Sequence, residues 1–316
     1  LNSTSVTIFR CSVPRENAKM VIETIIAIAE LNIPGRGTIF SQDLMEFCNI
    51  PPIINLDVLN AVYQPNVDIQ LLTHLSYMTC VLSEAGGGDN LAKNALDLGI
   101  CVPLLTNATG NDIRDQLGLI RITIPAEKEI VHLIMPEQDS NSIAQLLAEQ
   151  AKLDRPGQGF IYQTPVTAGI IDTRMKIGGQ KYAASIEQVI AAIDSLKGST
   201  TWRRRLDTVN TDKYDKSYIR QDNCEVSIIS DEDRIDELRE TCLNVGATGA
   251  ITSRVTLLEN ANGSRNKVQL VRSAISIPAA MADNVVDSLL QISTIDKENV
   301  DKINVLDSPS TYVRSL

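Results

Sequence analysis

Two glycine pairs stand where bare backbone could meet an anion. Gly35-Arg36-Gly37 and Gly157-Gln158-Gly159 each follow a helical apolar pattern and precede a short run of Ile and an aromatic residue. Backbone N–H groups in such a loop approach phosphate without side-chain interference. The same residues also serve a tight helix-to-strand turn that needs positive φ. Arg36 could bring one positive charge to an anion, whereas Gln158 could only hydrogen-bond. Ala85-Gly86-Gly87-Gly88-Asp89-Asn90 is another candidate cradle at a helix start, but it lacks the Lys-Ser/Thr of a Walker loop. Its alternative reading is a loop with Asp89 or Asn90 as N-cap. The basic cluster Trp202-Arg203-Arg204-Arg205 suits nucleotide phosphate, RNA or an acidic partner, or else a solvated linker. Ser230-Asp231-Glu232-Asp233 reads as helix-capping carboxylates rather than an acid–base pair.

The remaining inventory argues against an enzyme. His74 and His132 are the only histidines, too few for a His-built metal site and too far apart in sequence to suggest a triad, so they read as packed or surface residues. The six cysteines, at 11, 48, 80, 101, 224 and 242, form no C-x-x-C pair, which argues against a zinc site or a disulfide framework. No convincing nucleophile, base or metal set emerges. Lys plus Arg is 29 and Asp plus Glu is 39, a formal charge of −10, so a general nucleic-acid surface is not expected. Aromatics are only 4%, which removes base-stacking platforms and leaves cores of Ile, Leu, Val and Ala. No apolar run reaches the ~18 residues of a membrane span, since Glu23, Glu30 and Asn32 interrupt the longest, and no signal peptide is visible. A cytoplasmic protein is expected.

The elements that carry the glycines repeat along the chain. Val6–Phe40 aligns with Lys128–Tyr162 without a gap, at an offset of 122. Pro14 falls on Pro136, Leu31 on Leu153, Gly35 on Gly157 and Gly37 on Gly159. A third copy fits at a further offset of 142, with Pro278 on Pro136 and with Asn299 and Asp301 where the glycines stand. Each copy reads as strand, helix, strand. The first strands are Ile8–Val13, Ile130–Met135 and Val271–Ile277, and the helix of the third copy presents Val285, Val286, Leu289 and Leu290 on one face. A different half precedes copies two and three. It comprises strand Met78–Leu82, helix Asn90–Leu98 stopped by Gly99 and strand Cys101–Leu105, then Glu225–Ile229, Arg234–Val245 stopped by Gly246, and Ile251–Leu258.

The fold class expected is therefore α+β, a tandem of ferredoxin-like β-α-β-β-α-β units with antiparallel four-stranded sheets. Residues 1–50 form a β-α-β half-unit, 51–75 a linker, 76–165 a full unit, 166–221 a linker with a helix at Ala184–Leu196, and 222–316 a second full unit. The half-unit is expected to be completed by a preceding segment or by another chain.

The proline, the glycine pair 21 residues on and the Ile-aromatic run resemble the PII family of nitrogen-regulatory signal proteins, as do the endings "ALDLGI" at Ile100 and "CLNVGA" at Ala247. The resemblance covers about 220 residues of the chain. It implies packing of units around a pseudo-three-fold axis, ATP or ADP bound at a unit–unit cleft, and a T-loop that touches a regulated protein partner. The implied ligand contacts are Gly35, Arg36, Gly37, Gly157, Gln158, Gly159 and Arg174. The family's lysine after the glycine pair is replaced by Thr38 and Phe160, and the loops in the T-loop position, Asn107–Leu117 and Glu259–Lys267, are short. The function expected is a sensor that binds a small effector and modulates a partner, with a ligand-free oligomerisation scaffold as the alternative.

Overall fold

Among the described residues the apolar spacing becomes six α-helices and eleven strands in this computed structural model. Those residues are 5–33, 35–48, 56–63, 69, 71–112, 127–155, 157–171, 218–247, 249–261, 264–293 and 301–314. The N-terminal part holds α1 (Ala18–Ala29), β1 (Ile39–Ser41), β2 (Glu46–Cys48) and α2 (Leu56–Val62). The middle part holds β3 (Leu75–Leu82), α3 (Gly87–Asp97), β4 (Leu104–Asp112), β5 (Glu127–Pro136), α4 (Glu137–Gln150), β6 (Gly159–Val166) and β7 (Ala168–Ile170). The last part holds β8 (Tyr218–Ser230), α5 (Glu232–Val245), β9 (Gly249–Ala261), β10 (Ser264–Pro278), α6 (Ala282–Ser293) and β11 (Lys302–Arg314). No helix among the described residues is long and apolar enough to cross a membrane.

The sheets are antiparallel throughout. The middle part runs in the order β6-β3-β5-β4, and the last part repeats it as β11-β8-β10-β9. Alternation within the strands assigns the two faces. Met78, Cys80 and Leu82 of β3 and Val131, Leu133 and Met135 of β5 are buried with Leu91 and Ala95 of α3 and Ala144 and Leu147 of α4. Val226 and Ile228 of β8 and Ile275 and Ile277 of β10 meet Ile235 and Leu238 of α5 and Val285 and Leu289 of α6 in the same way. Each fully buried Leu, Ile or Val contributes about 1.5–3 kcal/mol relative to exposure. The opposite faces meet each other, with Val81, Ile130 and Tyr162 of one sheet packed with Ile251 of the other. Their edges also join. β4 pairs with β9 over Thr109–Asp112 and β6 with β11 over Ser310–Tyr312, so eight strands close into a ring. β2 adds to β11, and β1 pairs with β7.

The repeat is visible in single dihedral angles. Glu30 and Lys152, equivalent at the offset of 122, both end their helices with φ 53°. Gly35 and Gly157 have φ 82° and 75°, and Gly37 and Gly159 have 146° and 139°. Gly159 also lies in the ladder opposite Leu82, where a Cβ would stand 1.9 Å from the carbonyl oxygen of Val81. Gly99 and Gly246 stop α3 and α5 as expected, with Ile100 N–H donating to Ala95 O at 3.2 Å and Ala247 N–H to Cys242 O at 3.0 Å.

Several expectations are corrected. The strand expected at Ile8–Val13 does not form, because among the described residues the two strands that flank its counterpart β5 have no equivalent beside it. The short loop expected at Glu259–Lys267 is a long hairpin, β9–β10, whose ladder runs to Ala261 opposite Ser264. The strand expected at Cys101–Leu105 starts at Leu104 and continues to Asp112, through much of the expected loop Asn107–Leu117. The expected helix Ala184–Leu196, the cluster Trp202–Arg205 and Asn299 lie outside the described residues.

Close approach, more than turn conformation alone, makes Gly159 irreplaceable. Gly159→Ala is expected to cost about 3 kcal/mol or more in urea unfolding. Gly86→Ala, at φ 76° but with nothing within 4 Å of the new Cβ, is expected to cost about 1 kcal/mol. Equal losses would mean that the turn, not the neighbouring strand, sets the requirement.

Candidate functional site

Two polar features lie where the parts of the chain meet. The first is inside the ring, on the faces turned away from the helices. His132 of β5 is buried, with Nε2 3.0 Å from Thr106 Oγ1 and Nδ1 3.5 Å from Thr79 Oγ1. Its ring stacks on Tyr77 at 5.5 Å, and Tyr77 in turn meets Phe40 at 5.0 Å. From the other sheet, the Arg272 guanidinium pairs with the Glu225 carboxylate and donates through Nε to Ser227 Oγ at 2.9 Å. Burial, with the Arg10 and Arg272 charges, pulls the His132 pKa down to about 3, so the imidazole is neutral at pH 7. Burial pushes Tyr77 up to about 12 and also raises Tyr162. Both phenols stay protonated, and the imidazole is too weakly basic to take a proton near neutrality. These groups bond mainly within their own sheets, and the Tyr162 hydroxyl, hydrogen-bonded to Glu225, joins one sheet to the other.

The second feature is a cleft of about 410 Å³ at which all three parts of the chain converge. The N-terminal part contributes Asp43 and Met45, the middle part His74 and Glu137, and the last part Leu306 and Asp307. Three of these side chains are carboxylates, and no described Lys or Arg is among the lining residues. His74 sits in the left-handed region at φ 57°; its carbonyl accepts the Glu137 N–H at 2.9 Å, and its Nδ1 is 3.9 Å from Glu137 Oε2. Asp43 is held at 3.0 Å by the exposed Arg15. No group of three or more metal-ligating side chains occurs among the described residues.

The residues singled out from sequence fall elsewhere. Gly35-Arg36-Gly37 leads into β1, and Arg36 is paired with Glu30 at 3.1 Å on the surface. Gly157-Gln158-Gly159 leads into β6, and the Gln158 carbonyl accepts Ser83 N–H at 2.9 Å. The two copies touch further along, where Gln42 Nε2 donates to Thr164 Oγ1 at 2.6 Å and to Pro165 O at 3.1 Å. Arg174 and Lys176 lie outside the described residues. The cradle at Gly86–Gly88 is already filled. Gly86 N–H and Gly88 N–H donate to the two oxygens of Glu129 at 2.8 and 2.7 Å, so Gly86 rather than Asp89 or Asn90 is the N-cap residue of α3. Asp301, in the position of a lost glycine, is buried between Ser230 Oγ at 2.5 Å and Arg234 Nη2 at 2.9 Å. Asp231 is the N-cap residue of α5, with Glu232 and Asp233 in its first turn.

Sequence reasoning passed over the ring interior. The available signal was a period of two: Asn223, Glu225 and Ser227 alternate with Cys224, Val226 and Ile228. A strand covered by helices on one face and carrying polar groups on the other, with both buried, betrays a second covered face.

No family model matches the chain, and no curated protein matches it. A solved structure of a Bacillus cereus protein related to NIF3 is similar over 30% of this chain, at 16% identity and a TM-score of 0.24; the match spans 29% of that protein. The resemblance to PII proteins is corrected accordingly. No family model matches, that of PII proteins included, and steric and backbone contacts account for the Gly157–Gly159 turn that helped to carry the resemblance.

Two outcomes test the interior joint. Arg272→Met alone is expected to cost about 3 kcal/mol by leaving Glu225 unpaired, and adding Glu225→Leu should recover much of that loss. As pH falls below 6.5, the unfolded chain's imidazole takes up a proton that folded His132 refuses until about pH 3. His132 therefore favours folding fully above pH 6.5 and loses that contribution progressively toward pH 3. His132→Gln should flatten the fall in melting temperature between pH 6.5 and 4 relative to the parent protein.

Proposed function

We propose that the chain is a non-enzymatic binding protein that takes a small alkyl amine in the cleft between its three parts. The observation that carries this is the lining. Glu137 and Asp307, with Asp43 shared with Arg15, supply negative charge, and Leu44, Met45, Leu75, Pro165, Val166 and Leu306 supply an apolar wall. A carboxylate-rimmed apolar cleft matches an ammonium head on a hydrocarbon stem. It repels phosphate, so ATP and ADP are not ligands for this cleft. The volume falls within the range of small-molecule sites.

The reading rests on the units as well. We take residues 76–165 and 222–316 to be ferredoxin-like units in tandem and 1–50 to be a half-unit, a division supported by the matching strand orders. The cleft is then a unit–unit cleft, and it forms only when all three pieces are docked. A cytoplasmic setting accords with cysteines whose spacing suits neither a disulfide framework nor a zinc site.

A thermal-shift series tests the proposal. A ligand at a hundred times its Kd stabilises the native state by about 2.7 kcal/mol. 1,4-Diaminobutane and longer alkyl amines should raise the melting temperature at fixed ionic strength, and Glu137→Gln should reduce that shift. Inorganic phosphate and ATP should leave it unchanged. Stabilisation by ATP that Glu137→Gln does not affect, or no shift with any amine, would overturn the reading.

A further inference from the structure

The stretch 5–13 is the repeat equivalent of a central strand, yet among the described residues it has no strand beside it. At the offset of 122, Ile8 and Phe9 correspond to Ile130 and Val131. Ile130 and Val131 are 7% and 0% exposed, whereas Ile8 and Phe9 are 45% and 77% exposed, and Val6 is 64% exposed. The helix that follows is packed as in the full unit: Ile22 and Ile26 of α1 are buried, like their equivalents Ala144 and Ala148 of α4. The N-terminal part thus has its helix in place, and no described strand or helix occupies the positions of the complementary β-α-β half.

The topology of a full unit shows what can supply it. In the order β6-β3-β5-β4, one half contributes β3 and β4 and the other β5 and β6. Exchanging the two halves reproduces the same order read backwards. A two-fold axis between the central strands, which run antiparallel, therefore relates the halves. Two copies of a single β-α-β half satisfy that order as well as two different halves do. We propose that the N-terminal part docks on the same part of a second copy of this chain, with the two 5–13 segments antiparallel at the centre of a four-stranded sheet. The interface is isologous, and it rests on unit topology independently of the cleft.

The side chains restrict the register. For both α1 helices to lie on one face of the new sheet, a residue must face a residue of the same parity. Arg10 opposite its own copy would place like charges together. Phe9 opposite its own copy avoids that and puts the largest exposed apolar side chain of the segment at the centre of the interface. Burial of Ile8 and Phe9 on dimerisation would match that of Ile130 and Val131 in the full unit.

Light scattering on the full chain, across a hundredfold range of concentration, tests this. The expected mass is twice the 34.5 kDa of one chain. Phe9→Asp should weaken dimerisation by about a hundredfold or more, with the far-UV spectrum and melting temperature of the isolated chain preserved, since Phe9 is exposed there. Ile8→Lys provides the same readout if the first variant does not fold, and Phe9→Leu should remain dimeric. A parent protein that stays at single-chain mass throughout would overturn the proposal and leave a different polypeptide as the cover. A dimer that survives both charge substitutions would overturn it too, since the contact would then lie elsewhere.

Discussion

A four-stranded sheet with both helices on one side leaves its other side to be covered, and the arrangement of this chain follows from that need. Each sheet lends its bare face to the other. Val81, Ile130 and Tyr162 are then covered by Ile251 across the ring, and no third layer of helices is required. The constraint also decides what the strands must contain. Once both faces are buried, a polar residue on either must find a partner inside the protein, or its desolvation is uncompensated.

That accounts for the character of the interior. Glu225 and Arg272 keep only 8% and 16% of their side chains exposed, and each satisfies the other. Such a pair contributes little net stability over an apolar replacement; both residues belong to one sheet, and what reaches the other sheet is the hydrogen bond between Tyr162 and Glu225. His132 works in the same way without a charge. Its neutral ring meets threonines at 79 and 106 and stacks on Tyr77, all within its own sheet, so it is satisfied before the sheets dock. The Tyr162–Glu225 contact favours one relative placement of the sheets, while the helix-covered clusters supply the larger part of the burial.

Much of the local structure was legible because it depends on neighbours in sequence. The helix stops at Gly99 and Gly246 and the apolar faces of α4 and α6 follow from spacing alone, and the gapless repeat located equivalent turns. What the sequence concealed were contacts between segments far apart. The glycines at 86 and 88 read as an anion cradle, and they are one, but the anion is Glu129, 43 and 41 residues away. The pair at 157 and 159 read as a ligand loop because a close approach of β3 cannot be seen in linear text. The cleft was hidden for the same reason: Asp43, Glu137 and Asp307 share no local pattern. The stretch Ile8–Val13 has strand composition, but composition cannot provide the adjacent hydrogen-bonding edges that make a strand.

The ring is closed by unequal joints. Within the middle sheet, β3 and β5 pair over eight positions, from Leu75 with Pro136 to Leu82 with Glu129. The seams that close the ring are shorter, four positions between β4 and β9 and three between β6 and β11. Each sheet with its helices is built from contacts closer in sequence than those of the seams, so the two can assemble independently and early, and the seams zip last. The same hierarchy runs in reverse during native fluctuations. Amide protons at Thr109–Asp112 and Ser310–Tyr312 would exchange through a partial opening that leaves both helix-covered cores intact. In that opened state Glu225 and Arg272 would meet water, so the interior charges set the solvation balance of the opening as well as the alignment of the closed form.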